Sequence, residues 1–149
     1  MARGYMLTGG VFCFNVDAHV GPGCPNKPDD VQLVQYAYYC TAQLPPPAGA
    51  TPADMAIFKS VVPGASYNGG PNDALTLAIR AHQRIRGGTQ DGKVSPCQSP
   101  SGFYGDKSWL ILGLCGRIRA KYPDLWPRID KCPNCPPALS SVCKNAFTE

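Results

Sequence analysis

The stretch Gly69–Pro96, GGPNDALTLAIRAHQRIRGGTQDGKVSP, decides how the rest of the chain is read. Asn72 is placed to cap a helix, Asp73 suits its positive first turn, and Gly87-Gly88 ends it. Ala74, Ala78, Ala81 and Ile85 recur at i, i+4, i+7 and i+11, and Leu75 and Ile79 widen that stripe. Arg80, Gln83, Arg84 and Arg86 lie mostly off it. The spacing predicts a surface helix laid on a small core, followed by a glycine break and a tight Asp91-Gly92 turn.

Working outward, the same signals mark further helices. Pro28 with Asp29 and Asp30 starts one that runs to about Gln43, where Pro45-Pro46-Pro47 stops it. Thr51-Pro52-Ala53-Asp54 starts a brief one reaching Ser60. A fourth, from Lys107 to Lys121, carries Trp109, Leu110, Ile111, Leu112, Leu114 and Ile118. It is apolar nearly all round and is expected to be the most buried element. A further turn is expected over Asp124–Asp130, and a last short helix over Pro137–Lys144. Near the start, Val11-Phe12-Cys13-Phe14-Asn15-Val16 has strand-like composition and is read as an extended arm or edge strand. The expectation is a mainly all-α chain: a small helical bundle with long Gly/Pro loops, an N-terminal arm and a Cys-rich C-terminal extension.

Two segments resemble a known family. Asp73-Ala74-Leu75, Ala78-Ile79, Gln83 and Gly88-Thr89-Gln90-Asp91-Gly92, with Val94 and Pro96, are similar to the second half of peptidoglycan-binding domains of the small three-helix type. Val20-Gly21, Gly23, Pro25-Asn26, Pro28, Asp30-Val31 and Val34-Gln35 resemble the first helix of that family and its glycine-rich approach. The chain departs from the pattern at His82, where an aromatic is usual, and at Ser95, where Gly is usual. The resemblance implies a peptidoglycan-binding-like core over residues 20–106, with 107–149 as a helical extension of the same domain. It also implies a groove bordered by the first and central helices and the Asp91-Gly92 turn. The ligand-binding candidates it nominates are Asn26, Asp30, Gln35, Tyr38, Tyr39, Asn72, Asp73, Gln83, Asp91 and Gly92.

Eight cysteines, Cys13, Cys24, Cys40, Cys97, Cys115, Cys132, Cys135 and Cys143, support two readings. Most lie in loops or at helix ends, which favours a disulfide framework whose pairing the sequence leaves open. A structural zinc held by Cys132, Cys135 and Cys143 is the lesser alternative, because Cys132-Pro-Asn-Cys135 has no second CxxC pair to complete it. His19 and His82 are isolated, with no HxH or HxxxH spacing. Asp29, Asp30 and Asp73 are accounted for as helix-start charges, so no catalytic set emerges. No apolar run approaches the roughly 18 residues of a membrane span, and the first residues lack a secretory signal's continuous apolar core. Phosphate-loop and nucleic-acid motifs are missing. The net charge of +4 suits a polyanionic neighbourhood and equally suits ordinary solubility.

The function implied is non-catalytic binding of bacterial cell-wall peptidoglycan, in the periplasm or outside the cell, after export without a recognisable signal peptide. Two alternatives stand beside it. One is a protein-interaction module on the same scaffold, such as a secreted toxin accessory, an inhibitor or an immunity-type partner. The other is a cell-wall hydrolase.

Overall fold

Proline or a short polar side chain sets the start of four of the five described helices. The computed structural model describes residues 2–10, 12–104 and 107–146. Helix α1 spans Pro28–Thr41, with Pro at its first position and Asp29 and Asp30 in its first turn. Helix α2 spans Pro52–Lys59 and begins in a full capping box. Thr51 Oγ1 accepts from the Asp54 amide at 3.1 Å, and Asp54 Oδ2 accepts from the Thr51 amide at 2.8 Å. Helix α3 spans Ala74–Ile85 and is the most sharply two-faced of the helices, burying Leu75, Thr76, Ala78, Ile79 and Ala81. Helix α4 spans Leu110–Lys121 and α5 spans Pro137–Asn145, with a 3₁₀ turn at Ile129–Lys131 between them.

The all-α expectation is overturned by two small antiparallel pairs, which make the fold mixed α/β. Strand β1 (Arg3–Met6) pairs with β2 (Phe12–Asn15) in the register Arg3↔Asn15 to Met6↔Phe12. Val11, at the head of the expected extended run, lies outside the described residues. Gly4 permits the pairing, since a Cβ there would sit 2.9 Å from the Phe12 ring. β2 packs on α4, and Phe14 meets the rings of Phe12 and Trp126 edge-on at 5.2 and 6.0 Å. Strand β3 (Phe103–Tyr104) pairs with β4 (Lys107–Ser108), so α4 starts three residues later than its composition suggests.

Helix α1, rather than α4, is the most buried element. It packs against α4, α5 and α2 and buries residues on nearly every side. Tyr38 stacks on Phe58 of α2 at 5.4 Å, and its hydroxyl meets His82 Nδ1 of α3 at 3.1 Å. Tyr36 donates to the Pro133 carbonyl at 2.7 Å, and Asn134 Nδ2 donates to the Tyr39 hydroxyl at 2.7 Å. The CPNC turn is thus pinned to α1 by two tyrosines, with Asn134 in the left-handed region at φ 62°.

The expected disulfide framework is not formed. Cys13, Cys24, Cys40, Cys97, Cys115, Cys132, Cys135 and Cys143 are all free thiols, and all but Cys24 and Cys135 are buried. They serve as small apolar packing groups with weakly bonded S–H groups. Cys97 shows the pattern: its thiol points to the Ser99 carbonyl at 3.4 Å. Its backbone is clamped by Asn15, which accepts the Cys97 amide at 2.8 Å and donates to its carbonyl at 3.0 Å. The Cys115 thiol likewise donates to the Phe14 carbonyl at 3.0 Å. Burial pushes the Cys13 thiol up to about 11 and those of Cys40 and Cys135 up to about 12, so the protonated form dominates.

Candidate functional site

The two segments that carry the resemblance meet through their backbones. Val20 and Val94 exchange a pair of hydrogen bonds, the Val20 amide to the Val94 carbonyl at 3.0 Å and the reverse at 2.8 Å. The contact requires glycine at position 21, because a Cβ there would lie 2.5 Å from the Gly92 carbonyl oxygen. Asn26 closes the approach loop by accepting from the Gly21 amide at 2.8 Å and donating to its carbonyl at 2.9 Å.

Helix α3 then holds the Asp91-Gly92 turn through one side chain. Gln83 Nε2 donates to Asp91 Oδ1 at 2.8 Å and to the Lys93 carbonyl at 3.0 Å, while Gln83 Oε1 accepts from the Gly92 amide at 2.9 Å. Asp91 Oδ1 also accepts from the Lys93 amide at 2.9 Å. On the far side, Arg86 Nη2 donates to the Ser108 carbonyl at 2.5 Å and to Ser108 Oγ at 3.1 Å, tying β4 to the end of α3. Trp109 Nε1 donates to Ser99 Oγ at 3.1 Å, which fixes the indole at the start of α4.

Between these walls lies a half-open groove of about 270 Å³, close to the lower end of small-ligand sites at ~300 Å³. Its lining includes Gln83, Arg86, Asp91, Lys93, Lys107 and Trp109. Among the described residues, three cationic side chains face one carboxylate there, and neither Lys93 nor Lys107 is in an ion pair.

This chain matches no family model, no curated protein and no solved structure. The case for a site therefore rests on the groove itself.

The nominated ligand residues do not converge on it. Gln83 and Asp91 line the groove, and Gly92 is buried behind it. Asn26 instead borders a second hollow of about 330 Å³ beside Val31, Gln32, Ser66 and Tyr67. Asp30 is fully buried and accepts the amides of Asp17 and Ala18 at 3.0 and 3.1 Å. Desolvation raises its pKa, and those two amides oppose the rise. Gln35 is buried and pins the loop after α2 through the Gly64 amide and the Ala65 carbonyl. Tyr38 is core, and Tyr39 abuts the CPNC turn. Asp73, not Asn72, caps α3 by accepting from the Leu75 amide at 2.9 Å, and Asn72 is exposed.

Lys93, Lys107 and Trp109 are not among the residues the sequence nominates for a site, and Arg86 is placed only off the apolar stripe of α3. The only local signal was a lysine next to the Asp91-Gly92 turn. Lys107 and Trp109 reach the groove through the β3–β4 pairing, which is not a sequence-periodic feature. Among the described residues, no three His, Cys, Asp or Glu side chains are placed to hold a metal, and this includes Cys132, Cys135 and Cys143. His82 is engaged by Tyr38, and its pKa is held down to about 4 by burial and then by Arg86 and Arg117. None of the described helices is long and apolar enough to cross a membrane.

Proposed function

We propose that this protein binds bacterial cell-wall peptidoglycan without transforming it, using the groove between the end of α3, the Asp91-Gly92 turn and the start of α4. The observation that carries the reading is the groove's construction. Its floor is the Gln83-locked turn of the segment that resembles peptidoglycan-binding domains, and its rim combines Arg86, Lys93 and Lys107 with the Trp109 indole. Cations beside an aromatic wall suit a ligand that is polar, partly anionic and amphiphilic, as a peptide-substituted glycan is. The packing around both segments that carry the resemblance also supports the reading, since Gly21, Gly92 and the Val20–Val94 bridge hold them together. The compartment that goes with it is periplasmic or extracellular.

Co-sedimentation with purified sacculi across a salt series tests this. Retention that persists at about 0.15 M salt, where the screening length is near 8 Å, is the expected result. Retention abolished by such modest salt would reduce the effect to net charge, and no retention at all would refute the proposal.

A further inference from the structure

We infer that the groove reads the carboxylates of the peptide stems rather than the sugars of the glycan strand, an inference that rests on the peptidoglycan reading above. The balance of charge decides between the two. The Gln83 amide and one Asp91 oxygen, which would suit a sugar, are already spent on the wall. Gln83 uses Nε2 on Asp91 and Lys93 and Oε1 on Gly92. The Asp91 oxygen that faces Gln83 also takes the Lys93 amide. The indole N–H of Trp109 is committed to Ser99, leaving that residue to act as apolar wall. Beyond the Thr89 and Ser95 hydroxyls and the second Asp91 oxygen, what the lining offers a ligand is cationic: the ammonium groups of Lys93 and Lys107, and the guanidinium N–H groups of Arg86 not used on Ser108.

Chemistry of that kind selects anions. Peptidoglycan glycan is built of N-acetylated sugars whose lactyl carboxyl is consumed in the amide to the stem, so an intact strand offers the groove little negative charge. The stem peptide carries carboxylates and short apolar side chains, which match the cations and the Trp109 wall respectively. Of the nominated residues, Gln83, Asp91 and Gly92 thus build the site, while Lys93, Lys107 and Arg86 meet the ligand. Two of these three, Lys93 and Lys107, are exposed, and replacing either with Gln removes its charge while keeping most of its length.

The test uses three soluble probes on the full chain: a disaccharide–tetrapeptide, the tetrapeptide alone, and the disaccharide alone, with binding followed by calorimetry. The tetrapeptide is expected to bind within about threefold of the disaccharide–tetrapeptide, and the disaccharide not to bind. The Lys93→Gln/Lys107→Gln double variant is expected to lose about tenfold in tetrapeptide affinity, while Lys59→Gln at the end of α2 leaves it unchanged. Disaccharide binding equal to that of the intact fragment would overturn the inference and leave the peptidoglycan reading intact. So would equal binding of a scrambled acidic peptide of the same charge. Failure of all probes together with failure to retain sacculi would overturn both.

Discussion

Replacing Gly21 with alanine attacks the point where the loop before α1 touches the Asp91-Gly92 turn. Gly21 has φ +141°, and a Cβ there would lie 2.5 Å from the Gly92 carbonyl oxygen and 2.9 Å from the Lys93 Cα. Both atoms are backbone, so no rotamer change relieves the contact. Holding alanine in that conformation costs about 1–3 kcal/mol. Relieving the clash by separating the strands gives up the two Val20–Val94 hydrogen bonds, worth about 1 kcal/mol each net. The expected loss for Gly21→Ala is therefore about 3–5 kcal/mol, a Tm drop on the order of 10 °C for a chain of this size. Gly23 supplies the control. It also has positive φ, +71°, but a Cβ there meets nothing within 4 Å. Gly23→Ala should cost only the left-handed conformation, about 1 kcal/mol. Urea unfolding of both variants, compared at equal m-values, makes the measurement. Losses within about 0.5 kcal/mol of each other would refute the claim that this junction is closely packed.

Other consequences are equally open to measurement. Gln83→Ala strips the Gly92 amide of its acceptor and should cost about 1–3 kcal/mol, with faster hydrogen exchange at Gly92; Gln83→Glu should restore that protection but not the donors to Asp91 and Lys93. Unchanged exchange at Gly92 in Gln83→Ala would contradict the clamp. The His82 ring is favoured neutral in the fold, with its pKa lowered from 6.5 to about 4, so the unfolded chain takes up its proton first on acidification. Its contribution is complete above pH 6.5 and is lost as pH falls toward 4, by at most about 3 kcal/mol, and His82→Gln should flatten the stability profile across that window. A thiol reagent at pH 8 should count eight cysteines in denaturant but label the buried Cys13 and Cys40 far more slowly in the native protein, because burial disfavours their thiolates. Failure to count eight in denaturant would contradict the free-thiol core.

The helices were legible because their signals are local. Pro28, the Thr51–Asp54 box and the two-faced run of α3 each act within a turn or two of the helix they define. Of the strands, β2 was legible in the strand-like run Val11–Val16, whereas β1, β3 and β4, of four, two and two residues, are too short to display alternation. The N-terminal hairpin is specified by where its residues land against α4, a long-range fact. The cysteines misled for a related reason: a loop position such as Cys97 looks like a bridge site until Asn15 is seen to hold its backbone inside the core. At the site, the resemblance drew attention to Gln83 and the Asp91-Gly92 turn, which hydrogen bonds join in the fold. It could not distinguish a polar side chain that meets a ligand from one that pins a loop. Asp30 and Gln35 are of the second kind, buried and satisfied by backbone groups distant in sequence. Tyr38 likewise is a core ring, identifiable only once Phe58 and His82 are seen against it.

The central claim is that peptidoglycan is held in this groove, and backbone amide shifts under titration with muropeptides test it most directly. The account predicts that the largest shifts fall on Gly88, Thr89, Lys93 and Ser95 and on the Trp109 indole N–H. Shifts gathered instead at Ser66 and Tyr67 around the second hollow, or none at saturating ligand, would contradict it.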